Sequence, residues 1–333
     1  MFIYLFSKIS FYLKRLSIRK VLNLIVLKLS FHLSILFKKP LMWGKPAFLS
    51  IEPTNICNLK CPECPTGGGF SSVKKGYATP ELIKSVLPSV KESILHINMF
   101  FQGEPFLNNS VIEYTKQLSP YTFITVSTNG HFITRKNAKE IIGAGFYKII
   151  VSLDGINQEQ YSKYRKGGDF NKVIDAVKVL VAAKKEHKTA FPIIQLQCLL
   201  FNYTELIKDK FKSLAKELQV DSIVFKTAQF YNEENAKEML PSEGNSRYVV
   251  KNDKVVINHE VANRCWRMWN GAVITWNGDV VPCCFDKDKK FVHGNIFSTQ
   301  LFVVWKHPLY ADFRSKILLN RKGIEMCNNC SEK

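Results

Sequence analysis

Three cysteines stand on one short stretch, Cys57-Asn-Leu-Lys-Cys61-Pro-Glu-Cys64. Thiolates are soft ligands that suit iron and zinc. Three on one loop can hold three irons of a cubane cluster and leave the fourth iron open to a substrate or cofactor. The alternative is a zinc loop or a set of buried thiols, although structural zinc ordinarily takes four ligands in paired C-x-x-C units. Pro53, Pro62, Pro65 and Gly67–Gly69 mark the segment as a loop. A second set, Cys265, Cys283, Cys327 and Cys330, has 17, 43 and 2 residues between its members. Four thiolates can close a zinc tetrahedron or a fully ligated cluster. Cys198 and Cys284 are expected to be buried structural thiols. None of the seven histidines has a partner at metal spacing. The cysteine count is odd, and no small-residue cleavage site follows the apolar start. Both features predict a reducing, cytoplasmic compartment.

These cysteines must be held by a scaffold, and the hydrophobic rhythm supplies one. Candidate strands are Phe48–Ile51, Ile94–Phe101, Thr122–Ser127, Tyr147–Leu153, Ile193–Phe201 and Ser222–Thr227. Amphipathic stretches separate them. Phe170, Val173, Ile174, Val177, Leu180 and Val181 form one helical stripe, and Leu206, Ile207, Phe211, Leu214 and Leu218 another. Thr79-Pro80-Glu81 has the makings of a helix start. Six β/α units predict an α/β fold, a partial (β/α)6 TIM-like barrel. Polar sequence follows, then a hairpin, Gly271–Trp276 and Val280–Cys284, around Asn277-Gly278. A helical stretch from about Ser298 to Leu319 leads to the last cysteine pair. The expected organisation is an N-terminal helical arm (1–45), the barrel (46–235), a linker (236–261) and a small α+β domain (262–333) around the second cysteine set.

The formal net charge is +19, and residues 1–51 carry nine Lys/Arg and no acid. A cationic chain suits anionic partners: nucleic acid, phosphorylated substrates or anionic lipid. The arm is mostly apolar, but its longest uncharged run is the nine residues Leu29–Phe37. A spanning helix needs about 20 apolar residues. The pattern therefore predicts either a helix on the inner membrane surface or one packed on protein. No paired finger spacing or base-stacking aromatic series points to nucleic acid.

Cys-x3-Cys-x2-Cys after the first strand of a partial barrel resembles the signature of radical S-adenosylmethionine enzymes. The resemblance implies a [4Fe–4S] cluster on Cys57, Cys61 and Cys64, whose open iron chelates S-adenosylmethionine. Reduction of the cluster then yields a 5′-deoxyadenosyl radical that abstracts hydrogen. An external one-electron reductant such as flavodoxin or ferredoxin is implied with it. Gln102-Gly103-Glu104-Pro105 is similar to the family's Gly-Gly-Glu-Pro segment, so Gly103 and Glu104 are expected to receive the cofactor ammonium. Ser127 and Asn129 (Ser-Thr-Asn-Gly), and Ser152 and Asp154 (Ser-Leu-Asp-Gly), are expected ribose or carboxylate contacts. Arg165 resembles the arginine that pairs the cofactor carboxylate, and Leu199 is expected near adenine. All fall at the C-terminal ends of successive predicted strands, the edge where such barrels build sites. Glu63 departs from the family, which often has an aromatic residue before the third cysteine.

Residues 262–333 resemble the SPASM/twitch auxiliary-cluster domain in its shorter, one-cluster form. The matching features are Cys265, Gly278, Pro282-Cys283-Cys284-Phe285-Asp286, Gly294-Asn295-Ile296 and Trp305. The resemblance implies an auxiliary [4Fe–4S] cluster on Cys265, Cys283, Cys327 and Cys330. It also implies an oxidoreductase acting on a small-molecule or carbohydrate substrate: a sugar, cyclitol or surface-polysaccharide precursor. Peptide maturation is a second expectation. The residues ahead of the barrel are too few and too apolar for the peptide-recognition domain that maturases often carry. A third, non-enzyme expectation is a zinc-bearing cationic adaptor for membrane or nucleic acid. No residue is singled out as a general base.

Overall fold

A computed structural model describes residues 11–330 of the chain. The first ten residues of the expected arm and residues 331–333 lie outside the described part.

Helix α1 (Ile18–Phe37) begins at Ser17, whose hydroxyl accepts the Lys20 N–H at 3.3 Å. It lies against the protein body. Lys20 is buried and donates to the carbonyls of Ile94 and Tyr121 at 2.8 and 2.5 Å. The Trp269 indole donates to Ser34 at 3.1 Å. By length and composition alone α1 could cross a membrane. The nine-residue uncharged run understates this, because only Arg19, Lys20 and Lys28 interrupt the 20 residues of the helix. Its inner face is nevertheless engaged by the fold.

Six strands follow: β1 (Phe48–Ile51), β2 (His96–Asn98), β3 (Phe123–Thr128), β4 (Lys148–Ser152), β5 (Ile193–Leu200) and β6 (Ser222–Thr227). They pair in parallel in that order. Leu49, Ile51, Ile97, Ile124, Val126, Ile149, Val151, Ile194 and Leu196 are fully buried and share one core with the helices. Strand side chains alternate faces, so Ser50, Asn98, Ser127, Ser152 and Gln197 turn to the opposite face, the barrel lumen. The crossovers include α2 (Pro80–Glu92), α3 (Val111–Leu118), α4 (Ala138–Gly143), α5 (Gln158–Tyr164), α6 (Phe170–Glu186), α7 (Asn202–Glu205) and α8 (Lys208–Glu217). α2 starts at Pro80, where proline gives up no helical hydrogen bond.

The segment expected to be a linker holds structure. Helix α9 (Glu233–Met239) and a hairpin of β7 (Tyr248–Lys251) and β8 (Lys254–Ile257) occupy it. Beyond it, α10 (Arg267–Asn270) leads into β9 (Gly271–Ile274), which pairs in parallel with β1. β10 (Asp279–Val281) and β11 (Gly294–Asn295) continue the same nine-stranded sheet. Gly278 takes φ +84 in the turn between β9 and β10, as an Asn-Gly hairpin demands. The C-terminal region is thus sewn edge to edge onto the barrel. Helices α11 (Leu301–Lys306) and α12 (Pro308–Asn320) cover it, with Trp269, Trp305 and Tyr310 fully buried beneath.

Candidate functional site

The loop after β1 brings Cys57, Cys61 and Cys64 to the C-terminal edge of the sheet. The three thiols line one cavity of about 210 Å³ together with Gly103, Glu104, Ser127, Asn129, Ser152 and Arg165. Six of the eight expected cofactor contacts are therefore gathered round the cysteine loop. Leu59, Gly67, Phe100, Phe101, Thr128 and Tyr164 complete the wall and were not singled out from sequence as site residues. Aromatic signals there read equally well as core.

Asp154 and Leu199 do not line this cavity, although Leu199 packs in one apolar cluster with Cys57, Cys61 and Cys64. Asp154 is fully buried, and its carboxylate ties two walls together. One oxygen accepts Arg165 Nε at 2.5 Å; the other accepts the Leu199 N–H at 2.6 Å. Arg165 in turn reaches to 4.0 Å from Cys61 Sγ. Burial opposes the guanidinium's charge, but Asp154 and Cys61 outweigh it and hold Arg165 well above the usual arginine range. The Lys60 N–H donates to Lys166 O at 2.9 Å, which pins the cysteine loop to the arginine's own turn.

Glu104 is buried with both oxygens engaged. Thr128 Oγ1 and the Asn129 N–H donate to it at 2.7 Å each, and the Phe106 N–H at 3.2 Å. Burial raises its pKa against these hydrogen bonds. Gly103 must be glycine. It holds φ +69, and a Cβ there would lie 2.5 Å from Thr54 O and 2.6 Å from Ile56 O. That close approach lets the Glu104 N–H donate to Ile56 O at 2.8 Å, so the β2 end and the cysteine loop form one unit.

The departure at Glu63 has a structural account. Its carboxylate is buried and accepts the N–H groups of Tyr231 and Asn232, at 2.5 and 3.1 Å, and the Asn235 side-chain amide. It anchors the start of α9 to the cysteine loop. Gln102, standing where the family has glycine, is another tie. It donates to Lys287 O at 2.8 Å and accepts Thr66 Oγ1 at 3.2 Å, so it joins both cysteine regions.

Cys265, Cys283, Cys327 and Cys330 line a second, smaller cavity with Met268, Phe285, Ile317 and Met326. Arg321 shares that wall, with Nη2 3.2 Å from Cys330 Sγ and Nη1 2.8 Å from Arg264 O. A cation beside four thiols favours their thiolate form. Asn329, within the last cysteine pair, donates to Phe230 O at 2.8 Å and so fixes that loop to the barrel's end. Burial pushes Cys57 and Cys327 up to about 11, so these thiols carry their protons until a metal displaces them. Among the described residues no three His, Cys, Asp or Glu side chains converge on one ion-sized point. The thiols instead line the walls of two cavities.

Cys198 is fully buried in the core, as expected. Cys284 is not buried as expected: it is half-exposed and faces a third cavity of about 230 Å³ with Arg267, Asn270, Ser50 and Asn98. β10 ends at Val281 and the chain then turns, with the Asp286 N–H donating to Cys283 O at 3.1 Å, so Cys283 is buried while Cys284 stands on the turn.

In comparison with known proteins, the model of the Radical SAM superfamily matches residues 51–195. SPASM, an iron–sulfur cluster-binding domain, matches residues 265–331. The chain is 22% identical over 295 residues to the S-adenosyl-L-methionine-dependent 2-deoxy-scyllo-inosamine dehydrogenase of Niallia circulans, covering 86% of this chain and 92% of that protein. Matches to GTP 3′,8-cyclases are shorter. That of Alkaliphilus oremlandii is 27% identical over 39% of this chain, so the chain spans only 42% of that relative's length. In fold, the chain is similar to crystalline BtrN in complex with AdoMet and 2-DOIA, with TM-score 0.54 and 20% identity over 87% of this chain and 95% of that one. It is also similar to Streptococcus suis SuiB bound to precursor peptide SuiA, with TM-score 0.58 and 16% identity over 82% and 68%.

Proposed function

We propose that this chain, which belongs to the radical S-adenosylmethionine superfamily and carries a C-terminal SPASM iron–sulfur domain, oxidises a small polyhydroxylated substrate such as a sugar or cyclitol. Cys57, Cys61 and Cys64 would hold the [4Fe–4S] cluster whose open iron takes S-adenosylmethionine. Cys265, Cys283, Cys327 and Cys330 would hold an auxiliary [4Fe–4S] cluster. When bound and reduced, the first cluster supplies the electron that splits the sulfonium into methionine and a 5′-deoxyadenosyl radical; the second supplies an acceptor for one electron.

The residues divide the remaining work. Gly103 and Glu104 offer acceptors to the cofactor's ammonium, and Arg165, held by Asp154, offers a cation to its carboxylate. Ser127, Asn129 and Ser152 offer hydroxyl and amide groups to the ribose. Leu199, oriented through its own N–H by Asp154, offers an apolar surface to adenine. Abstraction of hydrogen from a CH–OH carbon forms 5′-deoxyadenosine. Loss of one proton and one further electron then completes a two-electron oxidation to C=O.

The observation that supports this proposal is that the cavities lined by the two cysteine sets are tied to each other and to the barrel interior. Gln102 ties the first loop to the Cys283 loop, and Cys283 and Cys284 share a cavity wall with the lumen side chains Ser50 and Asn98. A substrate in that lumen would stand between both sites. Ser50, Asn98, Ser127, Asn129 and Ser152 on these walls offer hydroxyl and amide partners that suit a polyol. Membership of an enzyme superfamily removes the non-enzyme adaptor expectation.

The test is anaerobic turnover of the reconstituted protein with dithionite and S-adenosylmethionine. Release of 5′-deoxyadenosine supports the proposal, and its stimulation by a polyol rather than a precursor peptide supports the substrate class. No 5′-deoxyadenosine under any reductant, flavodoxin included, would overturn it.

A further inference from the structure

Helix α1 supplies no residue to either cysteine cavity, yet it keeps an apolar face in water. At about 100° per residue, Ile18, Leu22, Ile25, Leu29 and Leu36 fall on one narrow stripe. All five are 51–80% exposed. Leu13, Leu16, Phe37 and Trp43 carry exposed apolar surface beyond its ends. A contiguous apolar surface of this kind marks a place where something else binds.

The opposite face is committed to the protein. Lys20 is buried against the Ile94 and Tyr121 carbonyls. Asn23 exchanges hydrogen bonds with the Lys45 backbone at 2.8 and 2.9 Å. Phe31 packs edge-on against Trp266 and Trp269, with ring centroids 5.3 and 5.5 Å away. Crossing a bilayer would carry Lys20 and Asn23 into hydrocarbon without these partners. While the fold holds, α1 can offer its stripe only to a surface.

Charge selects that surface. Residues 1–51 contain nine Lys/Arg and no acid. Lys14 precedes the helix, Lys38 and Lys39 follow it, and all three are exposed. None of the three forms an ion pair with a described carboxylate. Glu92, which reaches Arg19 on α1, is shared with Lys45, and Lys28 stands over the Trp266 ring at 4.0 Å. A second copy joined through this face by a two-fold axis would set a patch of lysines against itself. An anionic bilayer meets both needs: acyl chains take the stripe, and headgroups take the lysines.

The packing of α1 also fixes which way the barrel points. Ile94 precedes β2, Tyr121 precedes β3 and Trp269 precedes β9, so α1 lies across the N-terminal ends of the strands. The Cys57–Cys64 loop follows β1 and stands at their C-terminal ends. We propose that α1 seats the enzyme on an anionic membrane surface, stripe inward, with the Cys57–Cys64 loop directed away from the bilayer into water.

Full-length reconstituted enzyme should sediment with vesicles of about 3:1 phosphatidylcholine–phosphatidylglycerol, far less with phosphatidylcholine alone, and less as salt rises. Leu22→Ser, Ile25→Ser and Leu29→Ser together should abolish sedimentation at a parental thermal midpoint, since these side chains already face water. Lys14→Gln, Lys38→Gln and Lys39→Gln should each weaken it roughly fivefold. Acetylation footprinting by mass spectrometry reads the orientation. Vesicles should shield Lys14, Lys38 and Lys39 and leave Lys60, Lys74 and Lys75, exposed at the cysteine-loop end, reactive. Failure of the parent to sediment, equal binding to neutral vesicles, or parental binding by the triple serine variant overturns the proposal. So does a stable dimer that this variant dissociates, which assigns the stripe to a second copy. Retention through carbonate washing would show a spanning helix, and shielding of Lys60, Lys74 and Lys75 would reverse the orientation; either result refutes the seating. No readout here needs turnover, so the outcome is independent of the proposed oxidation.

Discussion

Arg165 and Asp154 form a buried ion pair, Nε to Oδ2 2.5 Å, at the wall shared by the first cysteine loop and β5. Asp154 is wholly enclosed, so its work is to position Arg165 and the Leu199 N–H. Asp154→Asn leaves the guanidinium buried without its countercharge. Breaking such a pair costs about 3–5 kcal/mol, so the urea midpoint should fall sharply. Affinity for S-adenosylmethionine should fall with it, because Arg165 loses its fixed direction. A variant with parental midpoint and affinity would show that Arg165 needs no tether.

Glu52 gives a pH dependence of known sign. Its carboxyl is buried at the end of β1, where Oε2 accepts the Trp276 N–H at 3.2 Å and Oε1 has no partner among the described residues. Desolvation dominates and, against Lys287 and Lys289, raises its pKa from 4.5 to about 7. Between those values the folded state holds a proton that the unfolded chain has released. Stability therefore falls as pH rises from about 4.5 to 7 and stays lowered above that. Glu52→Gln removes the buried charge and should raise stability at pH 8 by up to about 3 kcal/mol, with little change at pH 5. Thermal unfolding at both pH values checks this. Equal gains at pH 5 and pH 8 would exclude a titration effect.

Much of the scaffold was legible because alternation is local. Ile149 and Val151 against Ser152 mark a strand buried on one face whatever lies beyond it. The site edge was legible for a related reason: Gly103, Ser127 and Ser152 each follow a strand, and parallel strands end together. Longer-range ties left no local mark. Glu63 binds residues about 170 positions away, and Gln102 meets Lys287. The ladder of β2 closes at Asn98, short of the expected Phe101, because the chain leaves it to form the Gly103 turn. The polar composition of 236–261 concealed a hairpin with Tyr248 buried and Val250 and Val256 exposed.

Gly103→Ala tests whether the β2 end and the cysteine loop act as one unit. The added Cβ meets two backbone carbonyls, which cannot swing aside as a side chain could. Strain at positive φ alone costs about 1–3 kcal/mol. The expected outcome is a lower urea midpoint together with iron loss confined to the first site. Gly69→Ala is a useful contrast, since its φ is also positive but no atom lies within 4 Å of the added carbon. If both variants lose iron equally, backbone strain explains the result and the contact with Thr54 and Ile56 does not matter.

Iron content separates the two cysteine sets. Two [4Fe–4S] clusters bring about eight irons to the parent after anaerobic reconstitution. Cys57→Ala and Cys283→Ala should each leave about four, provided loss of one ligand empties its own site. Cys198→Ala, in the core, and Cys284→Ala, facing the lumen cavity, should keep the parental count. Their different burial predicts a further split: Cys284 should react with iodoacetamide in the folded protein, and Cys198 should not. Zinc in place of iron at the second set would leave four irons in the parent and unchanged iron in Cys283→Ala. Loss of all iron in Cys57→Ala alone would instead show that the second site depends on the first, and Gln102→Ala, which cuts the tie to Lys287, should then reproduce that dependence.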